Sequence, residues 1–129
     1  MPERSRDWIR QAEKDLEAAE AMMRDGFFEW SCFISQQAAE KSVKAVIQNL
    51  NGIAWGHSIL DLVRSISKKV NVHEQIEECA RDLDKYYVPA RYPNSFGSGS
   101  PYEYFTKKDA EHGLLCARRI VRLCKDFLA

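Results

Sequence analysis

Neither sign of charge is in excess in this 129-residue chain, since 19 lysines and arginines balance 19 aspartates and glutamates. Proteins that bind nucleic acid by general electrostatic attraction are usually basic domains. The balanced charge therefore excludes a protein that binds nucleic acid through a uniformly basic surface. A local basic patch stays compatible with the composition. Hydrophobic residues make up 45% of the chain and charged residues 29%, which is typical of globular proteins. We therefore expect a single domain over residues 1–129.

Long apolar segments and paired cysteine motifs are both absent. The apolar runs are only a few residues long, far below the ~20 residues needed to span a bilayer. The first eight residues carry charges instead of the apolar core of a signal peptide. We therefore expect no membrane association and a cytoplasmic location, where cysteines stay reduced. No CxxC pair occurs, and four cysteines are interpreted as small core residues: Cys32, Cys79, Cys116 and Cys124.

Helix-breaking residues cluster at only three places, and between them the apolar residues recur with helical spacing. In the first segment they step by three or four residues, which predicts a helix over residues 5–24 that Gly26 ends. A second helix is predicted over residues 29–50, where Asn51 and Gly52 provide the stop signal. Its wide apolar face marks it as the central helix.

Three further helices are predicted from capping pairs, in which an N-cap side chain bonds the backbone three residues later. A loop is predicted over residues 88–105, and loops of that length in compact domains are usually functional or disordered. The last helix carries two apolar stripes, of which one can face the core and the other needs cover from another helix or another chain. No strand pattern occurs, so the predicted fold is all-α, an up-and-down bundle of four main helices plus a short helix. The capping pairs are Ser58 with Asp61, Asn71 with Glu74, and Thr106 with Asp109.

Four polar residues interrupt the second helix at positions i, i+3, i+4 and i+7, so they lie along one strip. One interpretation is a solvated face on which Glu40 and Lys44 form an ion pair. The other is a polar, partly basic groove in which a helix or a phosphate group docks. The four residues are Gln37, Glu40, Lys41 and Lys44.

A second candidate site follows the fourth predicted helix, where Arg91 lies among tyrosines and prolines. The planar guanidinium of arginine can grip a phosphate group, and a tyrosine can stack on a nucleic-acid base. The alternative is a structural turn in which Arg91 caps the carbonyls of the preceding helix. Tyr102 and Tyr104 follow in the same predicted loop, where we expect them to be exposed.

Two other groups of residues carry weaker signals. The Gly-Ser-Gly-Ser stretch at residues 97–100 lacks the Gly-Lys-Ser/Thr that completes a phosphate-binding loop, and no strand precedes it. His112 and Cys116 are one helical turn apart and could share a metal ion, but the sequence shows no second pair of ligands. We therefore predict no metal site and no cofactor.

Four stretches of the chain resemble, in the same order, the HEPN (higher eukaryote and prokaryote nucleotide-binding) domain family. The most specific stretch is FISQQAAEKSVKA at residues 33–45. The others are Trp-x3-Ala-Glu-Lys-Asp-Leu-x2-Ala at residues 8–19, Gly-His-Ser-Ile-x2-Leu at residues 56–62, and a tyrosine-rich stretch at residues 83–94 that ends in Arg-Tyr-Pro-Asn. Together they cover nearly the whole chain.

The resemblance implies a HEPN-like bundle that often forms a homodimer, and a protein partner. In this family the frequent partner is a minimal nucleotidyltransferase, often encoded next door. Many such pairs are toxin–antitoxin systems in which the HEPN protein is a metal-independent ribonuclease. The transferase neutralises it, in some cases by adding AMP to a tyrosine of the toxin.

The sequence departs from the catalytic members of that family. Those members carry an arginine followed, after four to six residues, by a histidine, and none of His57, His73 and His112 has an arginine at that distance. The catalytic role therefore cannot be carried over, the catalytic residues stay unknown, and we lean towards a protein that is not an enzyme.

The favoured function is a non-catalytic, nucleotide- or RNA-associated partner of a minimal nucleotidyltransferase in a two-component system. One alternative is a metal-independent ribonuclease toxin with a diverged active site that uses Arg91. A second alternative is a structural dimerisation module. The residues predicted to bind a nucleotide or phosphate are Gln37, Lys41, Lys44, His57, Arg91, Tyr92 and Asn94.

Overall fold

The structure, a computed structural model, describes residues 3–129, and this part of the chain contains helices and no strand. No helix in it is long and apolar enough to cross a membrane. The helices are α1 (Ser5–Arg24), α2 (Phe28–Asn49), α3 (Ile59–Ile66), α4 (Glu74–Asp84), α5 (Pro101–Tyr104) and α6 (Lys107–Leu128). Between α4 and α5 the chain forms one turn of 3-10 helix at Pro93–Ser95.

The central position predicted for the second helix is confirmed, since α2 contacts α1, α3, α4 and α6. A three-residue connection joins α1 to α2, and Gly26 takes the left-handed conformation there (φ +88°). The short connection makes α1 and α2 antiparallel neighbours. Small side chains at the centre let the long helices approach closely. The fully buried alanines of α1, α2 and α6 are Ala12, Ala19, Ala38, Ala39, Ala45, Ala110 and Ala117.

Most helix boundaries predicted from capping signals are confirmed. The first helix spans the predicted residues, and α2 is displaced by one residue at each end. Ser58 caps α3 by accepting a hydrogen bond from the backbone of Asp61, and Thr106 and Asp109 form a reciprocal capping box at α6. These side chains satisfy amide groups that lack an intrahelical partner.

The predicted start and end of the fourth helix are wrong. The N-cap of α4 is His73 instead of Asn71, because the backbone at His73 is still extended (φ −74°, ψ 155°). The helix ends at Asp84, well before Pro89, and the chain continues in turns.

The segment predicted as a loop carries its own local order. Phe96 and Tyr104 stack with ring centroids 4.1 Å apart, and Phe105 contacts Tyr86 edge-on at 5.7 Å. These aromatic contacts fix the 3-10 turn and α5 against the bundle.

The chain itself covers the second apolar stripe of α6. Cys116 and Ile120 of that stripe are fully buried, and Leu123 and Phe127 pack against the core. We expected the second stripe to be covered by another helix or by a second chain, and other helices of the same chain cover it. This stripe therefore gives no support to a dimer.

Candidate functional site

A buried carboxylate lies at the centre of the candidate site. Glu40 of α2 is only 4% exposed, and burying a charge is costly unless it is paired and hydrogen-bonded. Its oxygens lie 3.2 Å from Lys44 Nζ, 3.3 Å from Gln36 Nε2 and 3.1 Å from His57 Nδ1. The expected ion pair with Lys44 is present, but the Glu40 side chain is buried and the Lys44 side chain is only 13% exposed, so the interpretation as a solvated face is wrong.

The turn that carries His57 is also fixed to α2 through its backbone. Gly56 precedes it with φ +78°, a left-handed conformation that favours glycine. Gln36 Nε2 donates a hydrogen bond to the His57 carbonyl oxygen at 3.0 Å. Gln36 is completely buried, and it therefore links the Glu40 carboxylate to the backbone of this turn.

The end of α4 holds the same turn in place. The Asp84 carboxylate accepts hydrogen bonds from Ser58 Oγ at 2.9 Å, from the Ile59 amide at 2.7 Å and from the Leu60 amide at 3.2 Å. A carboxylate at a helix N-terminus satisfies unpaired amides and interacts favourably with the helix dipole. Asp84 thus fixes the start of α3, which directly follows His57.

The imidazole of His57 has one engaged and one free nitrogen. Its ring stacks on Tyr87, with centroids 4.6 Å apart and an interplanar angle of 18°. Because Nδ1 faces the Glu40 carboxylate, Nε2 is the nitrogen without a hydrogen-bond partner among residues 3–129. The side chain is 54% exposed, so Nε2 is accessible to a ligand.

Arg91 approaches the same tyrosine. Its Cζ lies 4.4 Å from the ring centre of Phe33, 4.5 Å from that of Tyr87 and 5.1 Å from that of Tyr92, distances typical of cation–π contacts. Arg91 Nε donates to the Tyr87 carbonyl oxygen at 2.8 Å. Within the described part of the chain, Arg91 has no carboxylate partner, and its two terminal nitrogens donate no hydrogen bond.

The other predicted residues divide into two groups. Gln37 joins the network by donating to the side-chain oxygen of Gln36 at 2.8 Å. Lys41 does not, since its Nζ pairs with Asp15 of α1 at 2.7 Å. Asn94 is exposed in the 3-10 turn and makes no side-chain hydrogen bond within residues 3–129. The structure therefore brings together Gln37, Lys44, His57, Arg91 and Tyr92, and leaves Lys41 and Asn94 apart.

Spacing in the sequence gave no sign of two partners in this arrangement, Gln36 and Phe33. Tyr87 belonged to the group of tyrosines predicted around Arg91, but its stacking on His57 depends on contacts between the His57 turn and the segment after α4. The arrangement offers an arginine without a counter-ion, aromatic rings and an accessible imidazole nitrogen. These groups suit a phosphate next to a stacked base.

The cysteines offer no nucleophile to this site. All four are buried free thiols, which confirms their interpretation as core residues. Burial, together with the nearby carboxylates of Asp109 and Glu29, raises the pKa of the Cys32 thiol to about 12. Burial likewise raises the pKa of Cys124 to about 12. Thiols with such pKa values stay protonated at neutral pH and react slowly.

Comparisons with known proteins find a family model, a relative and solved structures that are similar to this chain. The HEPN domain family model matches residues 5–127. The chain is 34% identical, over 94% of its length and 86% of the relative's, to the Methanocaldococcus jannaschii protein MJ1304, which is named as a candidate toxin. Two solved structures are similar. TT1696 from Thermus thermophilus has a TM-score of 0.94 and 38% identity, covering 97% of this chain and 98% of that one. ST0689, an archaeal HEPN homologue, has a TM-score of 0.84 and 43% identity, with both chains fully covered.

Proposed function

The chain belongs to the HEPN domain family, and we propose that it is the nucleotide- or RNA-associated member of a toxin–antitoxin-like pair. Its protein partner is a minimal nucleotidyltransferase. The observation that carries the proposal is the Arg91 guanidinium, which lies among three aromatic rings without a carboxylate partner in residues 3–129. The relative named as a candidate toxin supports the class of system.

In this proposal the ligand phosphate binds the terminal nitrogens of Arg91. Fork-like donation to two phosphate oxygens is the geometry that distinguishes arginine from lysine. A base stacks on Tyr92, which is half exposed, and His57 Nε2 bonds a further oxygen of the ligand. Lys44 contributes less, because its ammonium group is already paired with Glu40.

Binding to a short single-stranded RNA tests the proposal. We expect Arg91→Ala to weaken the affinity at least tenfold, and Arg91→Lys to recover only part of it because the fork is lost. Arg64→Ala is the matched control, since it removes an exposed arginine that already pairs with Glu77. Equal affinities for Arg91→Ala and Arg64→Ala would contradict the proposed site.

A second candidate function, a metal-independent ribonuclease with a diverged active site, is favoured by the Glu40–His57 pair. A buried carboxylate that holds Nδ1 leaves Nε2 oriented outwards, as in catalytic dyads where histidine is the general base. In such a reaction Nε2 takes the proton of the 2′-hydroxyl, that oxygen attacks the phosphorus, and the bond from phosphorus to the 5′-oxygen breaks as the 5′-oxygen takes a proton from solvent. Arg91 stabilises the charged transition state.

Incubating the same RNA with the wild-type protein in excess chelator separates these two functions. Binding without cleavage supports the non-catalytic member. Cleavage that His57→Ala and Arg91→Ala abolish, while Arg64→Ala leaves it unchanged, supports the ribonuclease.

Tyr102 is the proposed acceptor if the transferase modifies this chain. Its ring is 68% exposed, whereas the Tyr104 hydroxyl donates to the Ser98 carbonyl oxygen. Transfer forms a bond between the Tyr102 oxygen and the α-phosphorus of ATP and releases pyrophosphate, and the phenolic proton goes to solvent. With the transferase and ATP, we expect mass spectrometry to locate AMP on Tyr102. A Tyr102→Phe protein that gains AMP equally well would contradict this.

We also propose that the protein is a cytoplasmic homodimer. Ile53 and Trp55 both lie in the loop before α3 and are 77% and 79% exposed, which gives a second copy apolar side chains to cover. Light scattering should give the dimer mass for the wild type and a lower mass for Trp55→Ser. A wild-type monomer at high concentration would also remove the structural dimerisation module as an alternative.

A further inference from the structure

A second cluster of chemically reactive side chains lies where α4 packs against α6. His112 Nε2 is 2.8 Å from Asp82 Oδ2 and 3.6 Å from Cys116 Sγ. These three donor atoms all lie within 4.8 Å of one another. An imidazole nitrogen, a carboxylate oxygen and a sulfur thus converge on one point, although they come from two helices.

Helix spacing and helix packing together explain the convergence. His112 and Cys116 are four residues apart on α6, so they lie on one helix face. The sequence showed no further ligand beside them, because Asp82 of α4 meets His112 only when the two helices pack.

We propose that this cluster binds one zinc-class divalent ion through His112 Nε2, Cys116 Sγ and Asp82 Oδ2. Three protein ligands of nitrogen, sulfur and oxygen, with a water molecule in the fourth position, suit the tetrahedral coordination of Zn²⁺. Thiolate sulfur disfavours Mg²⁺ and Ca²⁺, which prefer all-oxygen sites. The ion ties α4 to α6 and so stabilises the folded chain.

The distances are close to those that a bound ion requires. With zinc–nitrogen and zinc–sulfur bonds of about 2.0 and 2.3 Å at the tetrahedral angle, the two ligand atoms are about 3.5 Å apart. The His112–Cys116 pair, at 3.6 Å, already has nearly that separation. The corresponding nitrogen–oxygen separation is about 3.4 Å, so the 2.8 Å hydrogen bond between His112 and Asp82 must open by about half an ångström. A half-exposed imidazole and a surface carboxylate can make that shift by small side-chain rotations.

Protons move when the ion binds. A metal-bound His112 is the neutral imidazole with its hydrogen on Nδ1, so the hydrogen between Nε2 and Asp82 moves to Nδ1 or, where Nδ1 already carries one, goes to solvent. The Cys116 thiol releases one proton to solvent as it becomes a ligand. Lys85 pairs with the other oxygen of Asp82 at 3.6 Å, which leaves Oδ2 for the ion. The ion enters from solvent, since the His112 and Asp82 side chains are 49% and 37% exposed.

Cobalt(II) titration of the full, tag-free chain tests the site, because a cobalt–thiolate bond has its own charge-transfer absorption. We expect this band to saturate at one ion per chain and to disappear when Zn²⁺ is added. His112→Gln should abolish the band without unfolding the protein, because the side chain is half exposed. His73→Gln, at an exposed histidine, and Cys32→Ser, at a buried cysteine outside the cluster, are matched controls that should keep it.

The outcomes are decisive in both directions. No thiolate band in the wild type, or a band that survives in both His112→Gln and Cys116→Ser, would overturn the proposal. As an independent readout, Zn²⁺ should raise the midpoint of thermal unfolding of the wild type but not of His112→Gln.

Discussion

Replacing Glu40 by glutamine removes the negative charge at the centre of the candidate site while keeping the side-chain shape. Lys44 then loses its only carboxylate partner within residues 3–129, and His57 Nδ1 loses its acceptor charge. Breaking a buried ion pair by removing one partner typically costs about 3–5 kcal/mol. Because His57 is half exposed and the Lys44 side chain keeps 13% exposure, we expect the lower end of this range, about 3 kcal/mol.

Urea unfolding followed by circular dichroism measures this loss. Glu17→Gln is the matched control, because Glu17 pairs with Lys14 at 3.7 Å and both side chains are largely exposed. The control should change the unfolding free energy by less than about 0.5 kcal/mol. Combining Glu40→Gln with Lys44→Met should recover about 1–3 kcal/mol relative to the sum of the single changes. A Glu40→Gln loss below about 1 kcal/mol would refute the reasoning that the buried carboxylate organises this network.

Three further predictions concern stability. Leu83→Ala, at a fully buried position, should lower the unfolding free energy by about 2–5 kcal/mol. Leu115→Ala, at a half-exposed position, is the control and should lower it by less than about 1 kcal/mol. Similar losses for the two variants in urea unfolding would contradict the assignment of Leu83 to the core. Asp84→Asn should weaken the hydrogen bonds at the start of α3 and lower the unfolding free energy by about 1–3 kcal/mol. The amides at the start of α3 should then exchange their hydrogens faster. Unchanged exchange would contradict the role of Asp84 in anchoring α3. Burial raises the pKa of Cys32 and Cys124 from 9.0 to about 12, so these thiols ionise at lower pH in the unfolded chain, and the unfolding free energy should fall between pH 9 and 12 by up to about 1.4 kcal/mol per pH unit for each thiol. Between pH 7.5 and 10, the urea midpoint of Cys32→Ala should fall by less than that of the wild type. An equal fall would contradict the burial of Cys32.

The helices were predictable because their signals are local. Apolar spacing placed α1 within its observed bounds, and the Ser58 and Thr106 caps bond amides only three residues away. The start of α4 was not, since Asn71 offers a capping side chain but the backbone stays extended up to His73. Propensity alone does not settle which of two neighbouring positions begins a helix.

The candidate site was predictable in part. The polar strip on α2 and the Arg91 turn were recognisable in the sequence, because each is a local group of unusual residues. Their mutual contacts were not. Glu40 meets His57 across 17 positions, and Asp82 meets His112 across 30. Such contacts depend on how helices pack, which no spacing rule within one helix contains.

The most direct measurement of the central claim is a nitrogen-15 NMR titration of arginine and histidine side chains with a short single-stranded RNA. Arg91 and His57 should show the largest shifts, because a phosphate on the guanidinium and an oxygen on Nε2 change their surroundings directly. Arg64 and His73, which are exposed elsewhere on the surface, should not respond. Shifts centred on other residues, or none at saturating RNA, would contradict the assignment of the nucleotide site.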